Sequence, residues 1–567
     1  MKRIRFGQPE EFVPSRYCKN FNYQEKEISY PIEKIQFYCS KRGANLILPL
    51  GKEEQIYGLG LQLKSFNLRN KKLVCRVNSD PTGPTGDSHA PVPFFLSTKG
   101  YGIYIDTARY AAFHFGSSKL LSHHTEAAVK EIGTNTTALY HATLQEESHI
   151  SIQIPYAKGV DIYIMEGKTL TDIIAQYNLL SGGGCKAPEW SFETIYRCYT
   201  KFPQEKILEF ARLFKERDLP IGIIGLEPGW QSQSYPCSYL WDQERYPDHQ
   251  KMLKELLEMG YHVNLWEHAF VAPSAPIYEA LRPLSGSFEV WGGLVPDLSL
   301  PEARALFAAQ QKKLMDEGVD GFKLDECDSG DYLGGWSFPD MAEFPSGMDG
   351  EQYHSLFGTL YMQAMLEALG ERETLSEVRN AGALAASYPF VLYSDLYDHK
   401  DFIRGVVNSG FSGILWTPEL RDAKSREELL RRLQTTVFSV QSLINAWYVK
   451  EGLPWEQFDC EAEVRALLKE RQKLIPRLKA AFDRYHEAGI PPVRALVCDY
   501  SQDENTYKLD DEYLFCADLL VAPIAVGEKG REVYLPKGNW INYFTKEPVE
   551  SGFFHVETEG IPVYQKI

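Results

Sequence analysis

Between residues 186 and 483 two hydrophobic periodicities take turns. Short apolar runs, among them "IGIIGL", "HVNLW", "GFKLDE", "FVLYSD", "SGILWT" and "INAWYV", are separated by longer segments whose apolar residues recur every three or four positions. "QEKILEFARLFKER", "PEARALFAAQQKKLMDEG" and "REELLRRLQTTVF" are of the second kind, and their spacing predicts amphipathic helices. "FETIYRCY" and "TLSEV" bring the candidate strands to eight. Eight strand–helix units over roughly 300 residues predict a (β/α)8 barrel with insertions. A doubly wound open sheet is the alternative, and no G-x-G-x-x-G opening a helix supports it.

The flanks read differently. Residues 1–185 carry short alternating runs such as "NLILPL", "KLVCRVNSD" and "GYGIYIDT", broken by Gly, Pro and Asn, which predict an N-terminal β-sandwich. "SGGGCKAPEW" (181–190) marks the boundary with the barrel, 186–483. Residues 484–567 return to β texture in "ALVCDYS", "LLVAPIA", "REVYLP" and "WINYF", predicting a small C-terminal β-sandwich. A net charge of −17, spread along the chain without an acidic tail, argues against nucleic acid or an anionic membrane as partner. "MKRIRFGQPEEF" has no apolar stretch after its basic residues, so no signal peptide is expected. No run approaches the ~18 apolar residues of a membrane span. Ten scattered cysteines without a C-x-x-C pair predict free, buried thiols in a reduced, cytoplasmic protein. No cofactor is expected, and self-association is left open.

In a barrel, chemistry gathers where strands end at their C-terminal side. "IGIIGL" ends in Glu227 and leads to Trp230; "HVNLW" ends in Trp266, Glu267 and His268. "GFKLDE" brings Lys323, Asp325 and Glu326, "TLSEV" leads to Arg379, and "FVLYSD" ends in Asp395. "SGILW" is followed by Thr417, Pro418 and Glu419. Any one of these could be a solvated loop charge or a helix cap. Together, paired carboxylates between Trp walls describe a carbohydrate site, because sugar C–H faces pack on rings and an acetal is cleaved by two acids. The acidic run "DECDSGD" lacks the ligand spacing of a calcium loop, so no metal is expected. On a strand, Asp325 and Glu326 would face opposite ways, leaving Asp328 and Asp331 to the loop beyond.

These pieces resemble glycoside hydrolase family 31, the retaining α-glucosidases, α-xylosidases, α-galactosidases and sulfoquinovosidases. "IYGLG" (56–60) and "PFFLSTKGYGIYID" (93–106) look like the family's N-terminal sandwich, and "APEWSF" (187–192) like its approach to the barrel. "GFKLDE" looks like its K-x-D nucleophile strand, and "LLVAPIAVGEKGREVYLPKGNWINYFT" (519–545) like its proximal C-terminal sandwich. The resemblance implies that Asp325 is the nucleophile, with Lys323 beside it favouring the ionised form. It implies an acid/base in "VRNAGALAASYPFVLYSD", which supplies Arg379, Pro389 and Asp395 at matching spacing; Asp398 in "YDHKD" is the alternative. Whichever carboxylate is not the acid would be a supporting group or a loop cap.

Departures from the family pattern bear on the sugar. Its strand-closing Asp appears here as Glu227, its His-Asp as Pro418-Glu419, and its Asn-Pro as His268-Ala269. The resemblance thus implies a pocket other than that of an ordinary α-glucosidase, with Glu227, Trp230, Trp266, His268, Lys323, Arg379, Trp416 and Glu419 as binding candidates. Trp416 could equally be buried packing. The expected activity is a retaining exo-acting α-glycoside hydrolase working on small carbohydrates. A transglycosylase of the same mechanism and a non-catalytic carbohydrate-binding homologue are the competing readings.

Overall fold

The computed structural model describes residues 1–79, 81–116, 148–330, 335–395 and 398–567. Eight central strands form, seven of them where the sequence predicts them: β1 (Thr194–Arg197), β2 (Ile221–Leu226), β3 (His262–His268), β4 (Gly321–Asp325), β5 (Ser376–Val378), β6 (Phe390–Leu392), β7 (Glu419–Leu420), which lies past the predicted run, and β8 (Ser442–Asn445). All neighbours pair in parallel, in the order β6-β5-β4-β3-β2-β1-β8-β7. The ring closes where the Leu392 amide donates to the Leu415 carbonyl (2.7 Å) and the Thr417 amide to that of Leu392 (2.9 Å). "SGILWT" thus contributes this closing bridge rather than a full strand. Its start is taken up by a 3-10 turn, Gly410–Ser412, which ends on the left-handed Gly413 (φ 65°).

The amphipathic segments become the outer helices: α1 (Gln204–Glu216), α2 (His249–Glu258), α3 (Pro301–Asp316), α4 (Gly350–Leu369), α5 (His399–Ser409), α6 (Arg426–Val437) and α7 (Glu461–Ala488). Their starts follow local chemistry. Asp349 and Gln352 form a reciprocal capping box on α4, and the Ser425 hydroxyl caps α6. Helix α7 runs through residue 483, and the C-terminal strands begin at Val493–Ala495.

Residues before the barrel form two five-stranded antiparallel sheets packed face to face. In the strands Tyr101–Asp106 and Lys158–Glu166, alternation divides the side chains between two cores. Ile103, Ile105, Ile162 and Ile164 fill the sandwich interior. Tyr104 and Tyr163 face the other way, joining the barrel core with Phe94 and Tyr177, whose rings stack at 4.2 Å. Each fully buried aliphatic side chain contributes about 1.5–3 kcal/mol, so the sandwich is held to the barrel by apolar area rather than tethered by a linker. At the far end, a six-stranded sheet and a two-stranded ribbon enclose Leu514, Leu520, Val533, Leu535 and Trp540. Only the first residue of the predicted strand "ALVCDYS" is extended. Leu496–Asp499 turn into a short helix as Asp499 folds back onto Arg494 (2.7 and 3.0 Å). All ten cysteines are free and nine are buried. Among the described residues no helix is long and apolar enough to cross a membrane.

Candidate active site

The barrel interior is layered. Ile195, Ile223 and Leu443 fill the bottom. Two residues further along β1 the character changes to charge. Arg197, without solvent exposure, donates to Glu227 (3.2 Å), Asn264 (2.8 Å) and Glu377 (2.7 Å). A Cβ at Gly225 would lie 2.6 Å from Arg197 Cγ, so glycine there makes room for the guanidinium. Lys323 reaches the same Glu227, 3.2 and 3.3 Å from its two oxygens. Burial raises the carboxyls of Glu377 and Glu419, and Glu419 is held by Asn445 (3.1 Å) and Arg421 (3.4 Å). Buried charges persist only when paired, and here several strands supply the partners.

Lys323 and Asp325 both face inward from β4, two residues apart along the strand, and the Lys323 ammonium makes its hydrogen bonds to Glu227. Asp325 instead accepts the Trp266 indole N–H (2.6 Å) and the Glu326 amide (2.9 Å), with Arg379 Nη1 at 3.8 Å.

Arg379 is the hub of the rim. Its Nη1 contacts Asp325 and also hydrogen-bonds Asp395 at short range, while its Nε donates to Asp328 (3.1 Å). Asp395 lies three residues past β6 with 45% of its side chain open to solvent, and Arg421 closes on its other oxygen. Burial alone would raise the Asp395 carboxyl. Arg379, Arg421 and Lys323 outweigh that and hold it well below the usual carboxylate range. Asp398 has a different occupation: its side chain accepts from the Asp401 amide (2.9 Å) and caps α5.

Two readings of the acidic run need correction. Glu326 does not continue β4 onto the opposite face. The strand ends at Asp325, and Glu326 turns into the left-handed region (φ 58°), where Tyr235 Oη lies 3.4 Å from its carboxylate. Burial and then the adjacent Asp325 charge push Glu326 up to about 9, so it holds a proton beside the nucleophile position. Asp328 is no solvated loop acid: it is 1% exposed and clamped between Arg379 and His89 Nδ1 (2.7 Å). Asp331 lies outside the described residues.

The walls are also rearranged. Trp230 is fully buried; its indole N–H donates to the Trp266 carbonyl (2.6 Å) and its ring meets Trp241, so it backs Trp266 and offers no open face. Trp416 is buried packing against Phe402. His268 is buried among Tyr235, Trp266, Phe270 and Trp291, accepts the Phe270 amide at Nδ1 (3.1 Å), and is lowered by burial to about 3, hence neutral. Tyr235, Trp291 and Trp336 form a ring cluster that reaches solvent, with centroid separations of 4.9 and 5.3 Å. None of these three was a candidate from sequence. Arg197, Asn264 and Glu377 were missed as well, although a charge inside "TIYRCY" and inside "TLSEV" was a readable signal of an internal network. Arg421 and His89 carried no local signal.

Comparison with known proteins finds the domains of one family along the chain. The glycosyl hydrolases family 31 TIM-barrel domain matches residues 185–481, the family's C-terminal domain residues 489–567, and its N-terminal galactose mutarotase-like domain residues 24–113. An α-xylosidase of Emericella nidulans is 24% identical over 90% of this chain, and α-glucosidase 2 of Bacillus thermoamyloliquefaciens 26% over 91%. A sulfoquinovosidase of Escherichia coli is 24% identical over 88%. The chain spans 66% of that α-xylosidase and 64% of the α-xylosidase XylQ of Lactiplantibacillus pentosus. A GH31 dextranase of Flavobacterium johnsoniae superposes with a TM-score of 0.80 at 22% identity, covering 94% of this chain and 67% of the other. With the barrel matched from end to end and both flanking domains in family order, the chain belongs to glycosyl hydrolase family 31.

Proposed function

We propose that the protein is a retaining, exo-acting α-glycoside hydrolase. One observation carries the reading: a single guanidinium nitrogen, Arg379 Nη1, touches both Asp325 and Asp395. One hydrogen bond and one 3.8 Å contact keep the nearest carboxylate oxygens below the roughly 6.5 Å at which inverting pairs begin. In this reading Asp325, fixed by Trp266, attacks the anomeric carbon and forms a covalent glycosyl-enzyme. Asp395 protonates the leaving oxygen and later draws the proton from water. Its place on Arg379 supports it over Asp398, whose carboxylate is engaged in capping a helix. For Asp395 to act as an acid, the approaching aglycone must displace Arg421 and so raise its pKa; its solvent-open side leaves room for that exchange. A non-catalytic binding role would give no reason to hold two carboxylates on one cation.

The sugar is other than glucose in its hydroxyl pattern, an α-galactoside being the first to test. The Pro418-Glu419 pair has no imidazole to offer ring hydroxyls, and Glu227 and Glu419 are committed to buried cations and Asn445. A panel of p-nitrophenyl α-glycosides followed by NMR of the first anomer released tests both parts. The α-anomer should appear first; a β-anomer first, or turnover of no α-glycoside, sinks the reading.

A further inference from the structure

We propose that His89, which comes from the N-terminal sandwich and not from the barrel, is a positioning residue for the carboxylate pair. The proposal rests on the hydrolytic reading above and adds to it a residue from another domain.

The imidazole has no solvent exposure and uses both nitrogens. Nδ1 lies 2.7 Å from Asp328 Oδ2, the oxygen that also receives Arg379 Nε at 3.1 Å. Nε2 lies 2.8 Å from the hydroxyl of Ser394, the residue joined by one peptide bond to Asp395. Asp328 and Ser394 are 1% and 2% exposed, so water cannot replace either contact. One ring thus fixes both routes to the pair. Through Asp328 it sets the guanidinium that contacts Asp325 and Asp395, and through Ser394 it sets the backbone that carries Asp395.

The segment bearing His89 is built for this. The Ser88 hydroxyl donates to the Leu61 carbonyl (2.6 Å) and receives the Ala90 amide (3.0 Å), and the Leu61 amide donates to Ala90 (3.0 Å). The imidazole is therefore held from the sandwich side. On the barrel side, a Cβ at Gly330 would lie 2.2 Å from the Val77 carbonyl, so the two chains meet at backbone contact beside the site. A flexible lid would have no need of such an approach. The arrangement fixes geometry, and a displacement of about 1 Å at a reacting group lowers rates by as much as a hundredfold.

The test compares His89→Ala, His89→Gln and Ser394→Ala with wild type on three glycosides of the preferred sugar: a fluoride, an activated aryl glycoside and a disaccharide. His89→Ala should lower kcat on the disaccharide on the order of tenfold to a hundredfold, with KM nearly unchanged and a smaller loss on the fluoride, whose departure needs little protonation. His89→Gln, whose amide spans both partners, should recover much of the loss. Ser394→Ala cuts one arm without opening a large cavity and should repeat the leaving-group dependence in milder form, which keeps the test decisive if His89→Ala folds poorly. A loss equal across the three leaving groups, or no recovery with Gln while thermal midpoints fall together, assigns His89 a folding role and overturns the proposal. Wild type inactive on all three overturns the hydrolytic reading, and the positioning role with it.

Discussion

The two carboxylates that meet at Arg379 are held in opposite ways. Asp325 ends a parallel strand inside the barrel; an indole N–H and a main-chain amide fix it, and 12% of its side chain is exposed. Asp395 stands three residues beyond its strand, nearly half open, and is oriented by two arginine side chains. The difference matches the two tasks. A nucleophile gains from a fixed attack line, which regular backbone supplies. A group that must first give and then take a proton has to change partners, and side-chain clamps can be exchanged where backbone cannot.

Substitutions can break this contrast. Asp325→Asn should have the largest effect, a fall in kcat of roughly 10⁴-fold or more on every substrate, because no other group can form the covalent bond. Survival of substantial turnover would remove Asp325 from the nucleophile role. Asp395→Ala should lower turnover of poor leaving groups by about 10²–10⁴-fold and that of a glycosyl fluoride far less. Added azide should restore activity and yield an α-glycosyl azide, since it attacks the β-linked glycosyl-enzyme from the side that water would. The same rescue seen with Asp398→Ala in its place would transfer the acid role to Asp398. Asp398→Ala should otherwise be the mildest, weakening the start of α5 by about 1 kcal/mol in a denaturation measurement and leaving turnover close to wild type.

The same contrast governs what could be read from the sequence. Seven of the eight barrel strands and the Asp325 position were legible because apolar runs alternate with helical periodicity, and because a charge closing such a run stands out. The Asp395 side was harder, since a loop beyond a strand has no period to fix where its side chains point. Local backbone also defeated the pattern. Alternation sends Glu326 away from Asp325, yet a single left-handed residue brings it back. Likewise Trp230 and Trp416 looked like walls because tryptophan suits sugars, and only packing shows that both face protein. His89 stood furthest out of reach, since its partners Asp328 and Ser394 lie 239 and 305 positions away in sequence.

The charged layer beneath the pocket limits how this chain can change. Arg197 serves Glu227, Asn264 and Glu377 at once, and Glu227 is shared with Lys323. Removing Arg197 or Glu227 deprives a buried charge of its partner, a loss of about 3–5 kcal/mol, whereas replacing the partners together can be nearly neutral. Single mutational steps through the floor are therefore costly, while steps at Tyr235 and Trp336, which are 44% and 52% exposed, cost less. Adaptation to a new substrate would begin at those rings, with the barrel floor inherited intact.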